Sequence, residues 1–246
     1  MGKSRAIVIG AGIGGLSSAA QLAQTGKYDV SVYERMSFAG GRFTQHDHDG
    51  FQIPTGAVHM IPHGRKGPFA DLLLGKRGKG GLDLGRHGVE FLPTTKFACQ
   101  LKDGRLYGAD SVYGILPWFP MKNTLNLPRL LATRAKLPWG DEAEDGRTWL
   151  KRLFTDDFID FLDAFSNFAI SLRFDQMPAS TVVRILQNSF WSDRPHIPKG
   201  GCKGVIDGLR ADLKQHGARV KLSHEITEIL PGEAEESTKG NRFCIG

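Results

Sequence analysis

Apolar runs and an amphipathic segment alternate over the first 35 residues. Residues 6–9 form a continuous apolar run, which predicts a parallel strand buried on both faces. Residues 16–24 are rich in alanine, leucine and glutamine and predict a helix that ends before Gly26. Residues 30–33 predict a second strand. The order predicts a βαβ unit with a right-handed crossover.

Two further stretches show the short-period pattern of β-structure. Residues 43–46 and 51–53 flank the sequence Asp-His-Asp-Gly, whose Asp-Gly pair predicts a hairpin turn. Residues 89–107 form a second β-rich stretch, with residues 102–105 as its expected turn. We therefore expect two hairpins beyond the βαβ unit.

The middle of the chain changes character before the β, α, β alternation returns. Residues 111–139 are apolar, aromatic and broken by prolines, whereas residues 148–172 carry apolar residues at helical spacing. A helix over 204–216 and strands over 218–222 and 225–230 follow. The predicted fold class is α/β, a Rossmann-like domain with an inserted α+β substrate domain. The predicted ranges are 1–70 for the first part of the Rossmann-like domain, 71–196 for the insertion and 197–246 for the second part.

Composition restricts the class of protein without changing the fold prediction. The 246 residues are 40% hydrophobic and 24% charged, as in ordinary globular proteins. The three cysteines form no CxxC pair, so no disulfide framework or zinc site is indicated, and His46 and His48 lack a distant ligand that would make a metal site. Because there is no signal peptide and no 18-residue apolar run, we expect a cytoplasmic protein.

The positive charge does not indicate a nucleic-acid partner. The net charge is +6 and the pI is about 9.3, but the surplus is spread along the chain. Its densest cluster, residues 76–79, lies among glycines and contains no aromatic residue that could stack on a base. We expect that cluster to be a solvated loop.

The glycines after the first predicted strand carry the clearest chemical signal. Gly10, Gly12 and Gly15 fit G-x-G-x-x-G between a strand and a helix, where glycine allows a tight turn and a close approach to a pyrophosphate. The helix N-terminus favours phosphate charge. Glu34 ends the second strand and is placed to accept hydrogen bonds from a ribose. Because an acid disfavours a 2′-phosphate, FAD or NAD fits better than NADP.

A second glycine pair follows at Gly40 and Gly41. Without side chains, this segment could pass close to the same pyrophosphate, and Arg42 could neutralise phosphate charge. The alternative is a glycine turn that leads into the next strand beside a solvated arginine. Both interpretations remain open at the level of these residues.

The sequence GAGIGGLSSAAQLAQTGKYDVSVYERMSFAGGRF resembles the FAD-binding segment of the flavin amine oxidase and phytoene desaturase superfamily. The resemblance continues over residues 51–59 and resumes at Pro198-Lys199-Gly200-Gly201 and the helix and strand after it. It implies FAD as cofactor. It also implies that residues 56–58 run toward the flavin and that the backbone near Ile226 meets the adenine. The candidate cofactor-binding residues are Gly10, Gly12, Ile13, Gly14, Gly15, Glu34, Arg35, Gly41, Arg42, Gly56, Ala57, Val58 and Ile226.

The resemblance also implies the reaction class. Members transfer a hydride or two electrons to the flavin, so no side chain need be a nucleophile, and no catalytic residue is assigned. We expect an oxidoreductase of the desaturase or dehydrogenase type that acts on a small apolar substrate, of polyene or isoprenoid type. A flavin amine oxidase is the alternative within the class. A truncated, non-catalytic dinucleotide-binding or partner-binding half is the alternative outside it.

The resemblance implies two partners besides substrate. Members of the superfamily are much longer than this chain, so we expect a chain truncated at its C-terminus, with a second chain as one source of the missing half. Aromatic and basic residues over 113–139 suit a peripheral membrane contact. The alternative for that segment is a loop packed on its own core.

Overall fold

The computed structural model describes residues 2–56, 64–75, 81–94, 97–100, 104, 106–109, 112–133, 144–191, 195–231 and 243–245. Contacts divide the chain into two compact units. The first unit comprises Met1–Ile61, Gly67–Leu92 and His196–Gly246, and the second comprises Pro62–Lys66 and Pro93–Pro195.

The described parts of the chain contain both helices and strands. The strands are β1 (Ser4–Ile9), β2 (Tyr28–Tyr33), β3 (Gln45–His48), β4 (Phe51–Pro54), β5 (Phe91–Pro93), β6 (Phe97–Gln100), β7 (Leu106–Ala109), β8 (His196–Pro198), β9 (Arg219–Lys221), β10 (Ile229–Pro231) and β11 (Phe243–Ile245). The helices are α1 (Ile13–Gln24), α2 (Pro68–Leu74), α3 (Met121–Ala132), α4 (Gly146–Leu150), α5 (Asp156–Ile170), α6 (Ala179–Trp191) and α7 (Gly201–Gln215).

A parallel sheet with the order β1-β2-β9 is the centre of the first unit. The strands β1 and β2 are parallel, with Ala6 opposite Val30, and α1 connects them. The third strand, β9, pairs in parallel with the far side of β2 and places Val220 opposite Val32. The predicted Rossmann-like α/β class is therefore confirmed. The late strand β9 joins the sheet that the first 35 residues begin, so the chain returns to its first unit.

The core of the first unit lies on one face of this sheet. Alternate strand residues such as Val8 and Val32 face α1 and α7, because successive side chains of a strand point to opposite faces. Both helices contribute mainly small or aliphatic residues to this core. The buried members from the two helices are Leu16, Ala19, Ala20, Ala23, Cys202, Val205, Ile206, Leu209 and Leu213.

The prediction that β1 is buried on both faces is wrong. Ile7 is 38% exposed and Ile9 is 48% exposed. Both helices pack on the face that carries Val8, and the described residues leave much of the opposite face uncovered. The continuous apolar run therefore predicted a parallel strand correctly, but the described residues cover only the face toward α1 and α7.

The first predicted hairpin forms around its Asp-Gly pair. Asp49 and Gly50 both adopt left-handed conformations, with φ of 49° and 80°, as a type I′ turn requires. The antiparallel strands β3 and β4 pair Gln45 with Pro54 and His48 with Phe51. The two-residue loop places β3 slightly later in the chain than residues 43–46, where the strand was predicted.

The second unit contains the second hairpin and a helical core. The strands β6 and β7 are antiparallel, as the pattern over 89–107 predicted. The predicted helix over 148–172 is two helices, because Thr155 begins α5 as its N-cap and its N–H donates to Asn123 Oδ1 at 2.9 Å. The helices α3 and α6 were not predicted.

The division into units differs from the predicted domain limits. Pro62–Lys66 lies in the predicted range 1–70 but groups with the second unit. Residues 71–196 were predicted to be the insertion, whereas contacts group Gly67–Leu92 with the first unit. This segment closes the core of the first unit with apolar side chains. The buried ones are Ala70, Leu73, Leu82, Leu84, Val89 and Phe91.

The helix α3 lies within residues 113–139, the segment for which the sequence suggested a peripheral membrane contact. Leu127 and Leu130 of this helix are buried in the second unit's core, which agrees with a packed segment. Met121 and Leu125 lie on its exposed side, at 74% and 70% exposure. Among the described helices, none combines the length and the apolarity that crossing a bilayer requires.

The N-cap of α4 provides a test of the second unit's stability. The Asp145 carboxylate accepts the N–H of Thr148 at 2.9 Å. Burial acts to raise the pKa of this carboxyl, but hydrogen bonds from Thr148 and neighbouring N–H groups lower it below its ordinary value of 3.8. Asp145→Ala should lower the free energy of unfolding by about 1 kcal/mol at neutral pH.

The pH dependence of this effect follows from the depressed pKa. The carboxylate's contribution is complete above the unfolded pKa of about 3.8 and is lost as the pH falls through the lower pKa of the folded state. Urea denaturation across pH 3–7 measures it. The control is Asp145→Asn, which keeps a capping oxygen without a titratable charge. If Asp145→Ala lowered the free energy of unfolding equally at every pH, the assignment of the Asp145 carboxylate as the N-cap of α4 would be contradicted.

Candidate dinucleotide site

The carboxyl end of β1 turns sharply at Gly10. This glycine has φ of 96°, and its N–H donates to the carbonyl of Tyr33 at 2.7 Å. An L-residue with a side chain rarely adopts this conformation. Gly12 then begins α1 as its N-cap, with extended backbone. The turn therefore places the start of α1 directly at the end of the parallel sheet.

Gly15 permits the close contact between α1 and this turn. A Cβ atom added to Gly15 would lie 2.0 Å from the carbonyl oxygen of Gly10, well inside any real contact. Gly14, by contrast, has no heavy atom within 4 Å of an added Cβ. The last glycine of the motif thus has a packing role.

The first turn of α1 is open to an anion. No side chain caps the helix, and its first turn contains no acidic residue. The intrahelical bonding begins with the Leu16 N–H, which donates to Gly12 at 2.9 Å. The N–H groups of Ile13, Gly14 and Gly15 therefore lie in the orphan positions of a helix start, where the helix dipole favours phosphate.

Glu34 is held against the glycine turn by two backbone hydrogen bonds. Its Oε2 accepts the Ala11 N–H at 2.8 Å, and its Oε1 accepts the Met36 N–H at 2.9 Å. A carboxylate has about four lone-pair sites, so about two remain for other donors. The side chain is half-buried and can only accept. It suits ribose hydroxyls and repels a 2′-phosphate.

The second glycine pair lies against the first glycine turn. Gly40 and Gly12 form a parallel bridge, and the Gly40 N–H donates to Ala11 at 2.8 Å. A Cβ on Gly41 would lie 3.5 Å from the Cα of Gly12. Gly40 and Gly41 have φ of 116° and 57°. The structure therefore brings two side-chain-free segments to one place, the N-terminus of α1.

The other residues predicted for this region are Arg35, Arg42, Gly56, Ala57 and Val58. Arg35 and Arg42 are exposed. Gly56 lies close to the Arg42 backbone, because an added Cβ would be 2.8 Å from the Arg42 carbonyl oxygen. Ala57 and Val58 lie outside the described residues. Their contact with a flavin stays a prediction.

The segment after β9 runs beside Glu34. The Ser223 N–H donates to the Met36 carbonyl at 2.9 Å, and the His224 N–H donates to the Glu34 carbonyl at 2.8 Å. Ile226 follows two residues later and is half-buried. The contact of its backbone with an adenine stays a prediction.

Sequence reasoning missed three residues of this site. Ala11, Ser223 and His224 act through backbone groups, which leave no signal in residue type. The position of Ala11 inside the glycine motif is the one hint that the sequence offered. All the described parts of the site lie in the first unit. Together they place backbone N–H groups without side chains and the Glu34 carboxylate at the N-terminus of α1.

The same region matches a known domain family. Residues 8–73 match the NAD(P)-binding Rossmann-like domain. The matched segment includes the glycine turn, Glu34 and the Gly40–Gly41 pair. The match confirms that this part of the chain is a dinucleotide-binding domain of the Rossmann type.

Relatives with similar sequences extend the match beyond this domain. An uncharacterized protein of Methanocaldococcus jannaschii is 31% identical over 222 residues, which cover 90% of this chain and 52% of that protein. A 4,4′-diaponeurosporene oxygenase of Staphylococcus aureus is 48% identical over 58 residues, 23% of this chain and 12% of the oxygenase.

Solved structures show the same architecture over nearly the whole chain. An oxidoreductase from Methanosarcina mazei is 29% identical, with a TM-score of 0.74 over 98% of this chain and 56% of that one. A Pyrococcus furiosus protein is 28% identical, with a TM-score of 0.69 over 91% of this chain and 52% of that one. A putrescine oxidase bound to putrescine, 18% identical with a TM-score of 0.63, covers 99% of this chain and 54% of the oxidase and shows the fold alone. The chain spans about half the length of the Methanocaldococcus jannaschii, Methanosarcina mazei and Pyrococcus furiosus proteins.

Proposed function

We propose that this chain, which belongs to the superfamily of phytoene desaturase-like and flavin amine oxidase proteins, binds FAD through its first unit as part of an oxidoreductase. The observation that carries the proposal is the contact of Gly41 with Gly12 at the N-terminus of α1. Two backbone segments without side chains face the position of one pyrophosphate there. Glu34 adds the acceptor for a ribose beside it.

Binding of FAD accounts for more features of this site than binding of NAD or NADP does. The glycine turn and Glu34 would serve any dinucleotide whose adenosine ribose is not phosphorylated. The positive φ values of Gly40 and Gly41 restrict this second turn to glycine, and a cofactor contact explains why the turn lies at Gly12. The superfamily resemblance associates that second turn with FAD.

The residues of this chain would bind and orient the cofactor. Bound FAD supplies a two-electron acceptor for a hydride from a substrate carbon. The α1 N–H groups and Arg42 would offset phosphate charge, and Glu34 would hold the ribose. No side chain of the described site is placed to be a nucleophile or a general base for the substrate.

The substrate class that we propose is apolar, of polyene or isoprenoid type. The match to 4,4′-diaponeurosporene oxygenase supports this class, although it covers 58 residues. The aromatic residues of the second unit do not add support. Phe119 packs on Phe158 with ring centroids 5.0 Å apart, and Trp118 packs on Phe161 at 6.3 Å, so these rings contact one another as a domain core does.

Two alternatives give different expectations. A flavin amine oxidase would share the cofactor and oxidise a C–H bond beside a nitrogen; the likeness to putrescine oxidase concerns the fold. A non-catalytic dinucleotide-binding half would bind the cofactor without turnover. FAD binding is expected for the desaturase-type oxidoreductase and for the amine oxidase. Turnover of an added polyene would support the first, and turnover of an added amine would support the second.

The test is a titration of the purified chain with FAD. We expect saturable binding at one site, seen as a change in flavin fluorescence, and displacement by ADP, which shares the ribose and pyrophosphate. NADP should bind at least about tenfold more weakly than FAD, because Glu34 repels the 2′-phosphate. A chain that takes up no FAD, or that prefers NADP, would overturn the proposal.

A further inference from the structure

A cavity lies between one face of α7 and the strand β9 in the first unit, and we call it the α7–β9 cavity. Its volume is about 380 Å³, which is within the range of roughly 300–1,000 Å³ for small-molecule sites. The helix lines it with residues at i, i+3, i+4 and i+7, which share one face of a helix. The lining residues are Asp207, Arg210, Ala211, Lys214, Ala218 and Val220.

Hydrogen bonds and packing fix the walls of this cavity relative to one another. The Ala218 N–H donates to the Leu213 carbonyl at 2.9 Å, which joins the end of α7 to the start of β9. Val220 lies opposite Val32 in the parallel sheet and packs against the core that α7 shares. On the helix side, Ala211 presents a methyl group. The cavity therefore has a small apolar floor on two elements that are held together.

The charges that line the cavity are unbalanced. Among the described lining residues, Asp207 carries the one carboxylate, and its Oδ2 lies 2.7 Å from Lys203 Nζ. The hydrogen bond to Asp207 raises the pKa of Lys203 above its ordinary value of 10.5, so this ion pair persists at neutral pH. Arg210 and Lys214 form no ion pair with any residue that the structure describes. Two positive charges thus remain without a counter-charge.

An oxyanion with two negative charges matches Arg210 and Lys214. A cleft lined by one sign of charge concentrates ions of the opposite sign. A guanidinium binds phosphate through two parallel hydrogen bonds, and an ammonium binds it as a point charge. A phosphate monoester carries close to two negative charges at neutral pH, whereas a carboxylate carries one. The apolar floor suits a carbon group attached to the phosphate, because contact with it removes apolar surface from water.

We propose that the α7–β9 cavity binds a small organic phosphate, of the phosphate monoester class. The phosphate group contacts Arg210 and Lys214, and the carbon group lies on Ala211, Ala218 and Val220. None of the lining residues belongs to the glycine turn or to the surroundings of Glu34. The cavity is therefore a second ligand site of the first unit, and the inference does not rest on the proposed binding of FAD.

An NMR titration of the purified chain with phenyl phosphate tests the site. We expect saturable shifts of the Ala211, Lys214 and Ala218 amides, with a dissociation constant of about 1 mM or lower for a ligand of about ten non-hydrogen atoms. Shifts confined to the amides at the start of α1, where any phosphate could bind to the helix N-terminus, would overturn the proposal. So would the absence of any shift.

Two comparison ligands separate the contributions of charge and apolar contact. Inorganic phosphate lacks the ring and should bind about tenfold more weakly than phenyl phosphate. Benzoate keeps the ring but carries one charge, and it should also bind about tenfold more weakly. If either ligand bound as tightly as phenyl phosphate, the assignment of an organic phosphate to this cavity would be wrong.

A pair of double variants tests the two cations. Arg210→Ala with Lys214→Ala should weaken the binding of phenyl phosphate at least about tenfold, because both charged contacts are lost. Both positions are exposed and alanine favours helix, so the fold should be retained. Lys3→Ala with Lys27→Ala removes the same charge from exposed positions elsewhere in the first unit and should leave the affinity unchanged. Equal losses would show an effect of net charge and would overturn the proposal.

Substitutions at Ala211 test the floor of the cavity. Ala211→Glu places a carboxylate beside Lys214 at i+3 and should abolish the shifts, because it pairs with the cation and repels phosphate. Ala211→Gln has nearly the same shape without the charge and should retain part of the affinity. Equal losses in the two variants would mean that bulk alone blocks the cavity, and the role of charge in the proposal would be contradicted.

The source of the phosphate monoester is distinguished by sedimentation with vesicles. Co-sedimentation with phosphatidylcholine vesicles that contain phosphatidic acid, abolished by Ala211→Glu, would support a lipid headgroup. Binding of phenyl phosphate without co-sedimentation would support a soluble ligand. None of these measurements uses FAD, so a chain that fails to bind FAD could still bind phenyl phosphate. Failure of this inference and failure of the proposed function are therefore distinguishable.

Discussion

Gly15→Ala should lower the free energy of unfolding of the first unit by about 3 kcal/mol. The added methyl would lie 2.0 Å from the carbonyl oxygen of Gly10. That oxygen belongs to the backbone of a turn whose own N–H is bonded to β2, so it cannot move without breaking the end of the sheet. FAD binding should fall in parallel, because the start of α1 would shift from the pyrophosphate position. Urea denaturation measures the loss.

Gly14→Ala is the matched control for this substitution. It lies one residue earlier in the same helix, and its added methyl meets no atom within 4 Å. Helix propensity alone should make alanine more stable than glycine by up to about 1 kcal/mol at either position. If the two variants proved equally stable, the close contact between α1 and the Gly10 turn would not exist in solution.

Glu34→Ala should weaken FAD binding about 100-fold. Two hydrogen bonds from ribose hydroxyls to a carboxylate are each worth about 1.5 kcal/mol or more, and about 1.4 kcal/mol changes affinity tenfold. The variant also frees the N–H groups of Ala11 and Met36, which hold the turn in place. A fluorescence titration with FAD gives the dissociation constant for each variant.

Two further variants separate the binding role of Glu34 from general effects of charge and fold. Glu34→Gln keeps the shape and one carbonyl acceptor, so its affinity should lie between those of wild type and Glu34→Ala. Asp207→Ala removes an exposed carboxylate that pairs with Lys203 on α7, and it should leave FAD affinity unchanged. An affinity in Glu34→Ala equal to that of the wild type would remove Glu34 from the site.

The parts predicted correctly from the sequence are those that local chemistry controls. The turn at Asp49 and Gly50 follows from residues that tolerate positive φ, and the pairing of β3 and β4 follows from the loop length. The βαβ unit follows from apolar runs on both sides of a glycine turn. In each case the deciding contacts are close together in the chain.

The missed helices show where local patterns fail. The helix α3 contains Pro128 and follows Pro117 and Pro120, so its apolar period was hidden by residues that usually break helices. Its buried residues, such as Leu127 and Leu130, can be identified only from the core in which they pack. The break between α4 and α5 likewise depends on Asn123, which belongs to another helix.

The βαβ unit of the Rossmann-like domain could be predicted from the residues alone, because glycine at a tight turn and an acid at a strand end are local requirements. Two other features of the molecule could be recognised only in the folded chain. Tertiary packing placed Gly40 and Gly41 against Gly12, and it left Ile7 and Ile9 uncovered on the outer face of β1. Both results depend on how distant segments pack around the sheet. The residue type at one position does not specify which face of its strand another segment will cover.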